Sequence, residues 1–324
     1  MRHAAPVILL AFASVLFSCG GAGKEDGGCH GSETPSDVLR VMSFNILYSH
    51  RQTEEAYTDG DGRKWAERLP NVVSGLKSRG FDVMASQENT LRQIDDVLDA
   101  LGDYSAVGKS FGGKAVGAVA SDPDAVEVEA VYYRKGSVKL LESGTFWYSE
   151  TPDTPATARF VEGLELPNNR NSNWAKMEWM GKPFFVFTTH LQVGLDDACV
   201  RQRLYQAEIL VRKIGEIAGD APVILAGDFN CILRRDSVSD VRDAIDYILE
   251  NSSLRDARAL CANPSGPYGT VWYYKTGTPA TRRIDFVLVN EGFLVHSYRV
   301  DDIQQKTGKW ESDHHPVIVD VSFL

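Results

Sequence analysis

Cysteine is scarce in this chain, 5 residues in 324. No two of them stand in the CxxC spacing of a zinc site, which argues against a structural zinc. Basic residues are also short, 34 Lys and Arg against 44 Asp and Glu, for a formal charge of −10. A protein that coats nucleic acid by phosphate attraction is normally basic, so that role is disfavoured, whereas an enzyme meeting phosphates only through a bound metal stays open. Apolar stretches are brief: Ala4 to Phe17, broken by Pro6 and Ser14, falls short of the roughly 20 residues of a membrane span. A Gly-rich phosphate loop, a GxSxG elbow and a paired thiol nucleophile are all missing. What remains is 43% hydrophobic and 24% charged, with 28 Gly and 13 Pro. That is the composition of a globular protein, of one large or two ordinary domains at about 150 residues each.

The short apolar run has its own meaning. Arg2 and His3 precede it, and it ends in Leu16-Phe17-Ser18-Cys19 followed by Gly20-Gly21. A positive start and a short apolar stretch read as a secretory signal. The ending resembles the lipobox of bacterial lipoproteins, in which the cysteine carries the lipid. The expectation is a signal peptide over 1–19 with lipidation at Cys19, a flexible tether over 20–36 and one folded domain over 37–324. The protein would be exported and held to a membrane by its lipid, facing the periplasm or the cell surface. Lipid chains contribute about 0.8 kcal/mol per buried methylene, enough to hold a soluble domain. Export permits disulfides among Cys29, Cys199, Cys231 and Cys261, and the residues leave open either a Cys199–Cys231 bridge or free buried thiols.

Past residue 36 there is no repeat, low-complexity tract or linker. Buried-strand patterns recur at Val38–Ile46, Val83–Ser86, Val126–Tyr133, Phe184–Thr189, Val223–Ala226, Ile284–Val289 and Val317–Val321. Helical spacing marks Trp65–Lys77, Leu91–Leu101 behind Thr90, Arg201–Ala218 and Val238–Leu249. Several strand pairs lack a helix between them, which predicts an α/β protein with two packed sheets and helices outside.

Polar residues interrupt these strands at their ends. Asn45, Glu88, His190, Asp228 and Asn230 each close an apolar run; Asp285 sits inside one; Asp313 and His314 precede the last. In α/β architectures such ends converge on the ligand crevice. Asn and Asp also end strands in ordinary turns, but six strands ending in this set point to one site. Asn and Glu supply hard oxygen ligands that suit Mg2+ or Mn2+ better than zinc. Histidine beside Asp can exchange protons near neutrality. With no protein nucleophile evident, water attacks, and metal-assisted phosphoester hydrolysis fits the set.

In order, Ser43-Phe44-Asn45, Gln87-Glu88, Thr189-His190-Leu191, Gly227-Asp228-Phe229-Asn230, Arg283-Ile284-Asp285-Phe286 and Ser312-Asp313-His314-His315-Pro316 resemble the motifs of the endonuclease/exonuclease/phosphatase superfamily. Ser143–Pro152 and Arg170 with Trp174-Ala175 further resemble a bacterial subgroup of metal-dependent hydrolases. The resemblance implies a four-layer αββα sandwich with two mixed sheets. It implies Glu88 as principal metal ligand with Asn45 beside it, and Asp313 as a direct or water-mediated ligand. Asp228 and Asn230 would orient water and phosphate, and His314 would be base or electrostatic partner, its ring held by Asp285. His190 would donate to a phosphate oxygen.

Arg170, in a polar loop, and Arg203, on a helix, are candidate phosphate contacts because guanidinium grips phosphate in bidentate fashion. For Arg203 a surface ion pair explains the residue equally well. His315 should face away from His314 and be structural. Trp147, Trp272 and Trp310 fit a pocket or a core. The substrates implied range over nucleic acid, lipid head groups as in sphingomyelinases, inositol phosphates and other small phosphoesters. A catalytically inactive binding module is the alternative of another class, and no obligate protein partner is inferred.

Overall fold

The computed structural model describes residues 37–50, 54–155, 163–166, 170–237 and 241–324, all within the unit Thr34–Leu324. The expected signal peptide, Cys19, the tether and Cys29 lie outside the described residues. Among the described residues no helix is long and apolar enough to cross a membrane.

Continuous apolar runs, whose successive side chains point to opposite faces, make the strands bury both faces. In β1 (Leu39–Asn45), Leu39 and Val41 join a cluster between the sheets while Met42 and Phe44 join a second cluster under helices. In β7 (Lys182–His190), Phe184 and Val186 face the first kind of layer and Phe185 and Phe187 the second. Two six-stranded sheets result. One runs β11 (Phe293–Val300), β12 (Val317–Phe323), β1, β2 (Val83–Thr90), β4 (Glu127–Arg134), β3 (Tyr104–Val107). The other runs β5 (Lys139–Trp147), β6 (Asn171–Trp179), β7, β8 (Val223–Asp228), β10 (Asp285–Val289), β9 (Arg255–Asp256). Helices α1 (Trp65–Arg79) and α2 (Leu91–Ala100) pack on the first sheet; α3 (Asp197–Ala218) and α4 (Ala244–Asn251) pack on the second. The four-layer αββα sandwich is the expected one.

The two sheets share a plan. Each has one parallel pair, β1 with β2 and β7 with β8, and every other neighbouring pair is antiparallel. Each parallel pair is joined by a helical crossover, α1 or α3, as parallel strands require. No sequence repeat announces this doubled topology.

Local chemistry explains the element ends. Thr90 accepts from Gln93 N–H while the Gln93 side chain returns to Thr90 N–H, a capping box that starts α2. Asp196 caps α3, so the helix begins at Asp197, a turn before Arg201. The fourth helix begins at Ala244, where Asp243 and Asp246 form a capping box; the expected start at Val238 lies outside the described residues. β3, β5, β6, β9 and β11 were not expected as strands: β5 is an exposed edge and β6 alternates polar with apolar residues, so neither shows an apolar run.

Candidate active site

Period-two alternation also builds the site. Continuing the inter-sheet face along each strand leads from Val41 to Ser43 and Asn45, from Val186 to Thr188 and His190, and from Ile224 and Ala226 to Asp228. On the antiparallel strands the same face runs from Val287 back to Asp285, from Val131 to Glu129 and Glu127, and from Ala175 to Asn173 and Asn171. The layer between the sheets is therefore dry at one end and polar at the other. Register aligns the parts: Asp228 is paired with His190 on one side and with Asp285 on the other. Gly227 permits this approach, since a Cβ there would collide with the Thr189 carbonyl.

Glu88 reaches the cleft against the alternation, which would turn it toward the helices. A break in the β2–β4 register between Ser86 and Asn89, with Glu88 at φ 58°, re-aims its side chain. Left-handed backbone at a non-glycine residue costs about 1–2 kcal/mol, and such strain concentrates at functional sites. Leu47, at φ 63°, bears the same strain beside Asn45. Its N–H donates to Asn45 Oδ1 at 3.0 Å, and its carbonyl accepts from Arg68 and Gln93, both at 2.9 Å. The turn so held sends Tyr48 N–H to Glu88 Oε2 at 3.2 Å.

Asn45 Nδ2 donates to Glu88 Oε1 at 2.9 Å and across the sheets to Asp228 Oδ2 at 3.2 Å. Asn45 therefore clamps the two carboxylates in this arrangement, and its carbonyl oxygen is taken by Leu47. His314 Nδ1 lies 2.9 Å from Asp285 Oδ2, and its Nε2 lies 3.9 Å from Asp228 Oδ2. His190 Nε2 is 3.6 Å from Asp228 Oδ2 and 3.8 Å from Glu88 Oε1. Asn230, at φ 52°, donates its backbone N–H to Asp228 Oδ1 at 2.8 Å and its amide to the Leu191 carbonyl at 3.0 Å. Burial and Arg170 press the His190 ring toward neutrality, but Glu127, Glu129 and Asp228 outweigh them and raise its pKa to about 10. Burial likewise opposes charge on His314, and Asp285, Asp313 and Asp228 overcome it. Burial lifts the Asp313 carboxyl, and Glu88 adds to the lift against the pull of His314 and Arg68.

Arg170 sits within this set but is engaged: its Nη1 lies 2.9 Å from His190 Nδ1 and 3.3 Å from Glu127 Oε1. Arg203 does not join the site. Its fully buried guanidinium pairs with Asp243 and donates to the Gln192 and Gly194 carbonyls, so it pins the loop after His190 and cannot reach a phosphate. Two more fully buried arginines do similar work. Arg68 donates to the Arg63, Ile46, Leu47 and Glu311 carbonyls, joining the Asn45 turn to the Asp313–His314 segment. Arg283 pairs with Asp256 beside Asp285. Glu127 and Glu129 escaped sequence reading, although two glutamates at i and i+2 in a strand otherwise apolar were a usable signal. His315 stacks on Trp272, whose indole N–H donates to the Ser312 carbonyl, so both support the His314 segment. Cys199, Cys231 and Cys261 are free and buried, so the Cys199–Cys231 bridge is not formed.

The donor set fits a divalent cation. Glu88, His190 and Asp228, and separately Asp228, Asp285 and His314, can each offer atoms within 4.8 Å of one another. Among the described residues no Lys or Arg forms an ion pair with Glu88 or Asp228. Carboxylates gathered without such partners, with an Asn beside them, are the chemistry a hard cation neutralises.

Comparison with known proteins finds the same fold elsewhere. A Bacteroides vulgatus endonuclease/exonuclease/phosphatase superposes with a TM-score of 0.72 at 28% identity, covering 89% of this chain and 99% of that one. The mannosyl-6-phosphatase Bt3783 of Bacteroides thetaiotaomicron gives 0.71 at 26% identity, covering 88% and 100%. Nocturnin of Drosophila melanogaster is 23% identical over 89% of this chain, which spans only 47% of that protein. The sequence pattern of the Endonuclease/Exonuclease/phosphatase family matches residues 42–314. That match takes in every residue of the cluster from Asn45 to His314, and the chain belongs to the endonuclease/exonuclease/phosphatase family.

Proposed function

We propose that the protein is a phosphoester hydrolase dependent on Mg2+ or Mn2+, acting on compact phosphomonoesters. The observation that carries this reading is the placing of Asp228 between the His190 ring and the Asp285–His314 pair, with Glu88 beside it. A cation held by Glu88 with neighbouring carboxylates would neutralise phosphate charge and favour ionisation of bound water. His314, its Nδ1 held by Asp285, presents Nε2 to the cleft to exchange a proton with water or with a phosphate oxygen. His190 presents Nε2 to the developing negative charge, while the Glu127 and Glu129 carboxylates face its Nδ1. The likeness to a mannosyl-6-phosphatase favours monoesters, and the acidic charge of the chain disfavours duplex nucleic acid.

A panel assay with Mg2+ tests the reading: small phosphomonoesters, a generic diester, sphingomyelin, inositol phosphates, and single- and double-stranded nucleic acid. Turnover should be confined to monoesters, vanish with EDTA and return with added Mg2+ or Mn2+. Turnover that survives EDTA, or a preference for nucleic acid, would overturn it. The segment from Arg2 to Cys19 supports an exported, lipid-anchored form. Palmitate fed to expressing bacteria should label the wild-type chain and not Cys19→Ala; equal labelling of both rejects the anchor.

A further inference from the structure

We infer that Arg68 is a positioning residue for the cation site, acting through the left-handed turn at Leu47 that aims Asn45 and Glu88. The inference rests on the cation-dependent hydrolase reading above and adds what holds that site in shape. Arg68 is fully buried in the first turn of α1, and among the described residues no carboxylate pairs with it. A buried charge without an ion pair is costly, and an apolar side chain of similar volume commonly packs as well or better. What the guanidinium supplies is reach. Its Nε donates to the Arg63 carbonyl at 2.8 Å, Nη1 to the Ile46 and Glu311 carbonyls at 2.7 and 2.6 Å, and Nη2 to the Leu47 carbonyl at 2.9 Å. One planar fork thus meets acceptors in three separate segments, which an ammonium cannot imitate.

The bond to Leu47 carries the consequence. Leu47 stands at φ 63°, a conformation that its Cβ opposes, so the turn needs holding. Its carbonyl is gripped from two helices, by Arg68 of α1 and by Gln93 Nε2 of α2, also at 2.9 Å. Trp65 couples those helices: the Arg68 guanidinium lies 5.3 Å over its ring, and its indole N–H donates to Asp96 of α2 at 2.8 Å. From Leu47 the constraint reaches both oxygens of Glu88. Leu47 N–H occupies Asn45 Oδ1, which leaves Asn45 Nδ2 for Glu88 Oε1, and Tyr48 N–H takes Glu88 Oε2.

The same guanidinium ties this turn to the segment of Asp313 and His314. Arg68 Nη1 holds the Glu311 carbonyl, and one residue on, Ser312 Oγ donates to the Asn45 carbonyl at 2.6 Å and accepts from His314 N–H at 3.1 Å. Arg79, at the other end of α1, shows the contrasting pattern. It is buried too, but it pairs with the Glu311 and Asp301 carboxylates and makes no bond to the Asn45–Tyr48 turn. One helix therefore offers an arginine that shapes the site and an arginine that only fastens the fold.

The experiment measures Mn2+ binding to the full chain by titration calorimetry without substrate, and the Mg2+ concentration for half-maximal phosphomonoester turnover. Arg68→Lys keeps the charge and loses the fork. Both quantities should weaken by about 10–100-fold, the scale of a lost outer-shell partner, while KM at saturating Mg2+ moves far less. Arg79→Lys should lower the melting temperature and leave Mn2+ affinity at the wild-type value. Circular dichroism restricts the comparison to folded protein. Should Arg68→Lys fail to fold, Gln93→Met, which removes the other grip on the Leu47 carbonyl, carries the same expectation. A folded Arg68→Lys or Gln93→Met with unchanged Mn2+ affinity, or an Arg79→Lys that weakens binding equally, would overturn the assignment. Mn2+ binding without turnover of any phosphoester would overturn the hydrolase reading alone. A wild-type chain that binds no Mn2+ would overturn the cation site and the role of Arg68 with it.

Discussion

His314→Ala should lower kcat by about 10²–10⁴-fold, the scale of a lost general acid–base group. His314 is the imidazole that Asp285 orients, and among the described residues no other side chain bonds the buried Asp285 carboxylate. The substitution therefore also leaves a buried carboxylate unpaired, which costs stability. Two measurements separate the effects. Steady-state kinetics should be taken where circular dichroism shows the variant folded. Asp285→Asn, which keeps the shape and removes the charge, should lose much of the rate with a smaller loss of stability. A folded His314→Ala that turns over within a few-fold of wild type would remove His314 from the chemistry.

Glu88→Gln carries the second large effect. The substitution preserves volume, and the amide oxygen can still accept from Tyr48 N–H, but its charge is gone and its NH2 faces the Asn45 NH2. The Mg2+ concentration giving half-maximal activity should rise by more than the ~10–100-fold typical of an outer-shell partner. Mn2+ titration calorimetry should show the same weakening without reference to turnover. Unchanged cation dependence would reject Glu88 as the main ligand.

The fold was legible where strands bury both faces, because continuous apolar runs such as Val83 to Ala85 and Val223 to Ala226 have no other use. It was illegible at β5 and β6, where exposure or polar lining breaks the run. The site was legible as strand ends but not as orientations. Alternation alone would turn Glu88 toward the helices, and only the left-handed backbone at that residue corrects it. Arg203 stayed open between a phosphate contact and a surface ion pair because a guanidinium next to a site motif looks the same in sequence either way; the ion pair is the outcome, buried on Asp243. Glu127 and Glu129 were passed over because they open the apolar run of β4 and do not close it, and only the facing of β4 toward β6 and β7 brings them to His190.

The doubled sheet plan gives the reaction centre two owners. One sheet carries Asn45 and Glu88, the other His190, Asp228 and Asp285, and hydrogen bonds from Asn45 to Asp228 and from Gln87 to Thr188 cross the gap between them. A hydrogen bond weakens over a few tenths of an ångström, so sliding one slab against the other by that distance would dismantle the centre without unfolding either. Turnover is thus a gauge of how the slabs seat, and residues far down the dry interior gain a say in the chemistry through alignment alone.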